Sequence, residues 1–325
     1  MSKIVGPRTP SCGTTPNTST NVRIKVPRWA RIALRAVGWA APGFVAAQIT
    51  RRLLATRRRP RSDAELALRS TARRIDLELG GARFVAWELG AGPAVFLMHG
   101  WDGSAGDFAH LAPALAAAGY RAVAIDALGH GDADGSDANV AAMAGALGAA
   151  VAALGPAHAV VAHSFGAPAA ALARDRGLAY ERLVLLAPEP DLGGYVRELG
   201  GLGGAGVLAR VRQELVRRVG LLPEEIGLSR SMGALRPMVV HDLGDRVVPF
   251  ELVASAFPQV LRTSGLGHRR VLSEPTVVGA VVDYLRNKNE RSCPHRYVDG
   301  TCPQCALSLE LFRPSGRQSS VAGGG

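Results

Sequence analysis

Ala159-Val160-Val161-Ala162-His163-Ser164-Phe165-Gly166, running into the alanine-rich segment that ends at Ala173, is the stretch that decides how this chain is read. An apolar run stops at a serine that has a small residue two positions to either side, Ala162 and Gly166. The segment after Gly166 is rich in good helix formers. That order describes a strained strand-to-helix turn, in which bulk would collide with the neighbouring strand and helix and the Ser164 hydroxyl is pushed out at the sheet edge. Five residues of this kind arise by chance in many sequences. The rest of the chain must therefore supply a base, an acid and donors for a developing negative charge.

Working outward, apolar runs alternate with helical stretches. Strands are expected at Ala94–Met98, Ala122–Ile125, Ala159–Val161, Leu183–Ala187 and Met238–Val240, with helices at Leu111–Ala118, Val140–Leu154 and Pro168–Arg176 between them. Strands that are apolar throughout and separated by helices indicate a parallel sheet covered on both faces. Ahead of them, Arg74–Leu79 and Phe84–Leu89 alternate apolar and polar residues around Gly80-Gly81 and read as a hairpin. From about 189 to 236 the alternation breaks. A cluster of seven glycines between Gly193 and Gly206 precedes one amphipathic helix, Val207–Val219. An insertion of this kind between two core strands suits a lid over a pocket, because glycines give the backbone room to move, with a floppy surface excursion as the alternative.

Charge is unevenly distributed. Residues 1–74 hold 16 Lys/Arg against two acids, a net +14, so a chain of net charge +11 has −3 left for its other 251 residues. The basicity belongs to an N-terminal arm, and nucleic-acid binding by the body gains no support from it. Within the arm, residues 1–26 are Pro/Thr-rich and expected to be disordered. A helix is expected from Pro27, with Arg28, Arg31 and Arg35 on one face and Trp29, Ala33, Val37 and Ala40 on the other. Pro42-Gly43 kinks it, and Phe44–Leu54 resumes before the basic cluster Arg57-Arg58-Arg59-Pro60-Arg61. Such a helix either packs on the body with its arginines in water, the favoured reading, or lies against a membrane surface. The longest uncharged stretch in the arm, 15 residues from Ala36 to Thr50, is short of the roughly 20 that a spanning helix needs. A cytoplasmic protein is expected, with peripheral contact to the inner membrane face through the arm as an option.

A serine hydroxyl becomes nucleophilic only when a base takes its proton, and the base must be held in one tautomer by an acid. In the order Ser, Asp, His, an acid should follow a late strand and a histidine the last one. Asp245 lies in the turn of Val239-Val240-His241-Asp242-Leu243-Gly244-Asp245, and His268 follows the short strand Val260–Arg262 in a glycine-rich turn. Asp242, nearer the strand end, competes with Asp245 for the role of acid, but Asp245 is favoured by its place in Gly244-Asp245-Arg246-Val247-Val248-Pro249, and Asp191 is a weaker candidate. His99, His130 and His163 are expected to be structural, and His110, His158 and His241 carry no signal.

Over roughly residues 75–288 the chain resembles the α/β-hydrolase superfamily. Four motifs carry the resemblance in order: Met98-His99-Gly100-Trp101, Asp126-Ala127-Leu128-Gly129-His130-Gly131, the turn at Ser164, and the Asp245/His268 pair. The resemblance implies a mostly parallel central sheet with helices on both faces. It implies Ser164 as nucleophile, His268 as general base and acid, Asp245 as the acid orienting it, and the backbone N–H groups of Phe165 and Trp101 as the oxyanion hole. Ala162 stands where the family pattern has its first glycine, a departure of one methyl. Serine at 164 sets the chain apart from relatives with an aspartate nucleophile, such as haloalkane dehalogenases and epoxide hydrolases. The expected activity is hydrolysis of a carboxylic ester or related acyl bond in a small-molecule substrate, with no cofactor for catalysis. Acyl transfer by the same residues and a non-catalytic binding role are the alternatives.

The expected organisation is an arm over 1–74, a hydrolase-like domain over 75–290 and a cysteine-containing tail over 291–325. In the tail, Cys293, His295, Cys302 and Cys305 form a C-x-H-x6-C-x2-C pattern. The Cys-Pro-Gln-Cys knuckle points two thiolates at one centre, as a structural zinc site requires, against the alternative of reduced surface thiols.

Overall fold

The computed structural model describes residues 26–226, 228 and 235–287. Eight strands form one sheet in the order β1-β2-β4-β3-β5-β6-β7-β8. The strands are β1 Arg73–Leu79, β2 Ala82–Leu89, β3 Ala94–Met98, β4 Arg121–Asp126, β5 Ala157–His163, β6 Tyr180–Leu186, β7 Met238–Asp242 and β8 Leu261–Thr263. β1, β2 and β4 pair antiparallel, and every other neighbouring pair is parallel. Each strand expected from the apolar runs is present, within a few residues at its ends.

The strands β3 and β5 are apolar without interruption because both faces of the sheet are covered. Alternate residues still divide between two cores. Phe96 and Met98 join Val160 and Ala162 under the helices α5 Val140–Leu154 and α6 Gly166–Asp175. Val95 and Leu97 face the other way, towards α4 Leu111–Ala117 and the last helix, Pro275–Arg286. Asn139 caps α5 by accepting the Ala142 N–H at 2.8 Å, and the helix stops at Gly155 with φ 99°.

The glycine-rich insertion is more ordered than its composition suggests. Leu192–Gly201 forms helix α7 and Ala205–Val219 forms α8, where only the second was expected. Asp191 caps α7 through the Gly194 N–H at 2.7 Å. A side chain at Gly200 would sit 2.7 Å from Leu208 Cδ1, so glycine here serves close helix packing, not slack.

The arm is built into this insertion. Helix α1 spans Arg28–Ala40, α2 spans Pro42–Leu54 and α3 spans Asp63–Thr71. Val45, Ala46 and Leu54 of α2 form a third apolar cluster with Val196 of α7 and Val207, Val211 and Leu215 of α8. The expected packing of the arm on the body is thus present in α2. The face that α1 turns inward differs from the expected one. Half-buried Ala30 and Leu34 and buried Gly38 lie on that side at intervals of four, whereas Trp29, Val37 and the intervening Ile32 are exposed. Gly38 explains the choice, because a Cβ there would overlap the Gly203 carbonyl. Only a residue without a side chain lets the two backbones meet.

The basic cluster is tied down. Arg58 donates to the carbonyls of Gly131, Ala133 and Gly135, and Arg59 pairs with Asp107 at 2.7 Å. Arg61 pairs with Asp132. Among the described residues no helix is long and apolar enough to cross a membrane. Residues 1–25 and the tail pattern Cys293, His295, Cys302, Cys305 lie outside the described residues.

Candidate active site

Ser164 sits where β5 ends and α6 begins, with φ 51°. Left-handed backbone is uncommon for a residue with a side chain and costs of order 1–3 kcal/mol. The surroundings hold it there. The Ser164 N–H donates to Leu186 O at 3.1 Å, and Ser164 O accepts from the N–H groups of Ala167 and Glu189 at 3.0 and 3.2 Å. Gly166 is required, since a Cβ would stand 2.7 Å from the His99 carbonyl. Ala162, two positions before the serine, is fully buried between Met98 of β3 and Leu185 of β6 and its methyl is accommodated.

The turn aims Ser164 Oγ at His268, whose Nε2 lies 3.0 Å away. On the other side of the ring, His268 Nδ1 is 2.7 Å from Asp245 Oδ2. The second Asp245 oxygen accepts the N–H groups of Val247 and Val248 at 2.8 and 3.0 Å. Burial alone would push the Asp245 carboxyl up. The hydrogen bond and charge of His268, with the two backbone donors, outweigh it and leave the group below the ordinary carboxylate range.

Asp242 does different work. Its carboxylate accepts from Thr263 Oγ1 and the Leu266 N–H, both at 2.9 Å, and from the Gly244 N–H at 2.9 Å. It thereby shapes the loop that carries His268 without touching the imidazole. Asp191 is the cap of α7 and pairs with Arg197 at 3.6 Å. Of these three acids, Asp245 is the one hydrogen-bonded to His268.

Two histidines without catalytic signal in the sequence adjoin this chain of hydrogen bonds. His163 Nε2 donates to the His268 carbonyl at 2.9 Å, and the two rings are 4.9 Å apart. Burial, then the neighbouring His268, lowers the His163 pKa to about 4, so the ring is neutral near pH 7. His241 Nε2 donates to Val248 O at 2.9 Å and lies 3.6 Å from Asp245 Oδ2. Burial also lowers its pKa. The only sequence signal for His241 is its position four residues before Asp245. For His163 it is adjacency to Ser164.

The loop after β3 lies beside the serine, with Gly100 so close that a Cβ would be 2.7 Å from Ser164 Cβ. His99 Nδ1 donates to Gly100 O at 2.7 Å, and His99 Nε2 accepts the Ala127 N–H at 3.2 Å, which fixes the tautomer. The rings of Trp101 and Phe165 meet at 5.4 Å, and Tyr195 of α7 meets Phe165 at 5.8 Å. Neither the Trp101 nor the Phe165 backbone N–H is engaged by an acceptor among the described residues.

Above these residues is a cavity of about 730 Å³. Ser164, Phe165 and His268 form its floor, and Leu192, Val196 and Leu199 of α7 contribute apolar wall. The arm lines it too, through Arg51, Arg52, Leu53 and Leu54 of α2. Trp101 Nε1 donates to Ala55 O at 3.2 Å, and the Arg57 N–H donates to Asp102 Oδ1 at 2.7 Å. The arm is therefore stitched to the loop next to the serine, although charge and composition set it apart as a separate segment. The link is non-local and leaves no periodic trace.

A family profile described as the alpha/beta hydrolase fold matches residues 93–192, which hold β3 to β6 and the serine turn. No curated protein matches the chain. Among solved structures, an esterase from Pyrococcus furiosus superposes with a TM-score of 0.52 at 18% identity, over 71% of this chain and 97% of its own. Est1E from Butyrivibrio proteoclasticus, with ferulic acid bound, gives 0.52 at 17% identity, over 65% and 96%. An esterase from Exiguobacterium antarcticum gives 0.50 at 16% identity, over 66% and 100%. At these identities the likeness is one of fold. With the sheet order and the serine turn at the end of β5, it establishes that the chain has the α/β-hydrolase fold.

Proposed function

We propose that the protein is a serine hydrolase that cleaves a carboxylic ester or related acyl bond of a small molecule. The observation that carries this reading is the hydrogen-bonded series Ser164 Oγ, His268, Asp245 at 3.0 and 2.7 Å on the floor of a largely apolar cavity.

In this reading His268 Nε2 takes the Ser164 proton as the oxygen attacks the acyl carbon, and Asp245 stabilises the imidazolium that forms. The backbone N–H groups of Phe165 and Trp101 hold the developing oxyanion, and loss of one such donor costs roughly 3–4 kcal/mol. His268 then protonates the leaving alkoxide, and a water activated by the same imidazole releases the acyl group from Ser164. His163 contributes position, not protons, by holding the carbonyl of His268 while its own ring stays neutral.

Purified protein should hydrolyse p-nitrophenyl esters of short acids and react with a fluorophosphonate probe. Ser164→Ala should abolish labelling and lower kcat by roughly 10⁴–10⁶-fold, the scale on which such nucleophiles contribute. Residual activity in the variant equal to wild type would overturn the assignment.

A further inference from the structure

Helix α1 presents an apolar face that nothing among the described residues covers. Trp29, Ile32 and Trp39 are 75%, 70% and 88% exposed, and Phe44 at the start of α2 is 63% exposed. At 100° per residue these side chains of α1, with Ala33, Ala36, Val37 and Ala40, occupy a continuous arc of about 160°. The inward stripe Ala30-Leu34-Gly38 borders the arc on one side. Arg28, Arg31 and Arg35 border it on the other, and none is ion-paired among the described residues. A soluble protein rarely exposes two tryptophans and an isoleucine along one helix face without a partner for them.

The geometry points to an anionic lipid bilayer as that partner, with α1 lying in the interface plane. We infer this from the match of chemistry on both sides of the arc. Tryptophan and isoleucine suit the boundary between headgroups and acyl chains, and arginines at the edge reach back to phosphates. No acidic residue precedes Asp63, so the whole segment that would face the bilayer is attracted to negative charge. A second copy of the chain is a poor occupant, because it would bring two arms of net charge +14 together. Residues 1–25 are also poorly suited, since they contain no aromatic residue and only a few scattered aliphatic ones.

The position of α1 gives the contact a consequence. Helix α2 continues from it, and the last turn of α2 walls the cavity over Ser164. At 1.5 Å per residue, the 13 residues of α2 span ~20 Å, so a bilayer at Trp39 is within about that distance of the cavity wall. The docking surface itself does not depend on the hydrolase reading, because none of its residues touches Ser164, His268 or Asp245.

The test is flotation of the full chain with vesicles of phosphatidylcholine containing phosphatidylglycerol, against phosphatidylcholine alone. The full chain should float with the anionic vesicles, and salt near 1 M, where the Debye length is ~3 Å, should weaken the binding. Trp29→Ser/Trp39→Ser should reduce partitioning by about tenfold or more. Arg28→Gln/Arg31→Gln/Arg35→Gln should reduce it on anionic vesicles only. Both variants should keep wild-type hydrolysis of a soluble p-nitrophenyl ester, or, if the protein hydrolyses none, the wild-type far-ultraviolet circular dichroism spectrum and melting temperature. That readout separates loss of docking from loss of fold and from failure of the enzymatic reading. Failure of the wild type to float would overturn the proposal. So would lipid-independent dimerisation abolished by the tryptophan substitutions, which would make a second copy the occupant. Flotation that appears only after deletion of residues 1–25 would assign the face to the chain's own terminus and equally overturn it.

Discussion

At the scale of single residues, the site turns on which carboxylate meets His268. Asp245 and Asp242 are three positions apart at the end of β7, and both carboxyls are held below the ordinary range against the effect of burial. Their partners differ: an imidazole for Asp245, loop amides and a hydroxyl for Asp242. Asp245→Asn should lower kcat roughly 10⁴-fold by favouring the wrong His268 tautomer, while its remaining carbonyl oxygen can still accept the Val247 and Val248 N–H groups. Asp242→Asn should retain fluorophosphonate labelling and lose about 1–3 kcal/mol of unfolding free energy, because it presents donors to donors. Labelling rates and denaturant titrations of the pair read both effects. Equal loss of labelling in the two variants would reassign the acid. Chain order and strand-end position make both aspartates visible as candidates. The turn Gly244-Asp245 to Pro249 favours Asp245, while the Leu266 N–H that Asp242 accepts instead is placed by the course of the chain after β8.

Among elements, the informative pair is α1 and the loop before α8. The helical wheel of α1 shows an amphipathic helix, and the helix is present. Its inward face follows Gly38, which lets α1 approach the Gly203 carbonyl, and not the large apolar residues. Close backbone contact can outweigh a longer apolar arc when the arc has another partner or none. Gly38→Leu should therefore lift α1 from α8 at a cost of about 1–3 kcal/mol. The expected readout is faster tryptic cleavage between Arg28 and Arg35, with hydrolysis of short esters retained, since Ser164 and His268 are held by β5, α6 and the loop after β8. Unchanged protease resistance would show that the contact is dispensable. The helix α7 teaches a related point. Seven glycines suggest a loose insertion, yet Asp191 caps a regular helix and Gly200 serves packing.

For the molecule as a whole, buried neutral histidines tie stability to pH. Burial lowers His163 to about 4 and His130 to about 3, each from 6.5, so the unfolded chain binds protons that the folded chain refuses. Stability then rises with pH across that window and is lost as pH falls from about 6.5 towards 4. Each such histidine contributes up to about 1.4 kcal/mol per pH unit. Asp242 and Asp245 add a further loss below their ordinary range, in a lower window. Urea unfolding at pH 7.5, 6 and 5 should show a falling midpoint, and His163→Gln should flatten the upper part of the curve. A midpoint independent of pH between 7 and 5 would contradict the buried, neutral state of these rings.

What the sequence determined by itself was local or periodic. Apolar runs of three to five residues marked the strands, because a strand covered on both faces has no polar side to show. Small residues at positions 162 and 166 marked the turn at Ser164, because strain of that kind tolerates nothing larger at one of them and little at the other. Order along the chain brought forward His268 with Asp245 ahead of Asp242 and Asp191. Only the tertiary structure decided that Asp242 turns to the loop amides and Thr263, that His163 and His241 adjoin the imidazole and Asp245, and that α2 of the N-terminal arm walls the cavity. Those are contacts between residues from 4 to more than 100 positions apart, set by the approach of whole elements. The stretch from Ala159 to Gly166 fixes where Ser164 stands; α2 of the arm and α7 line the cavity into which it opens.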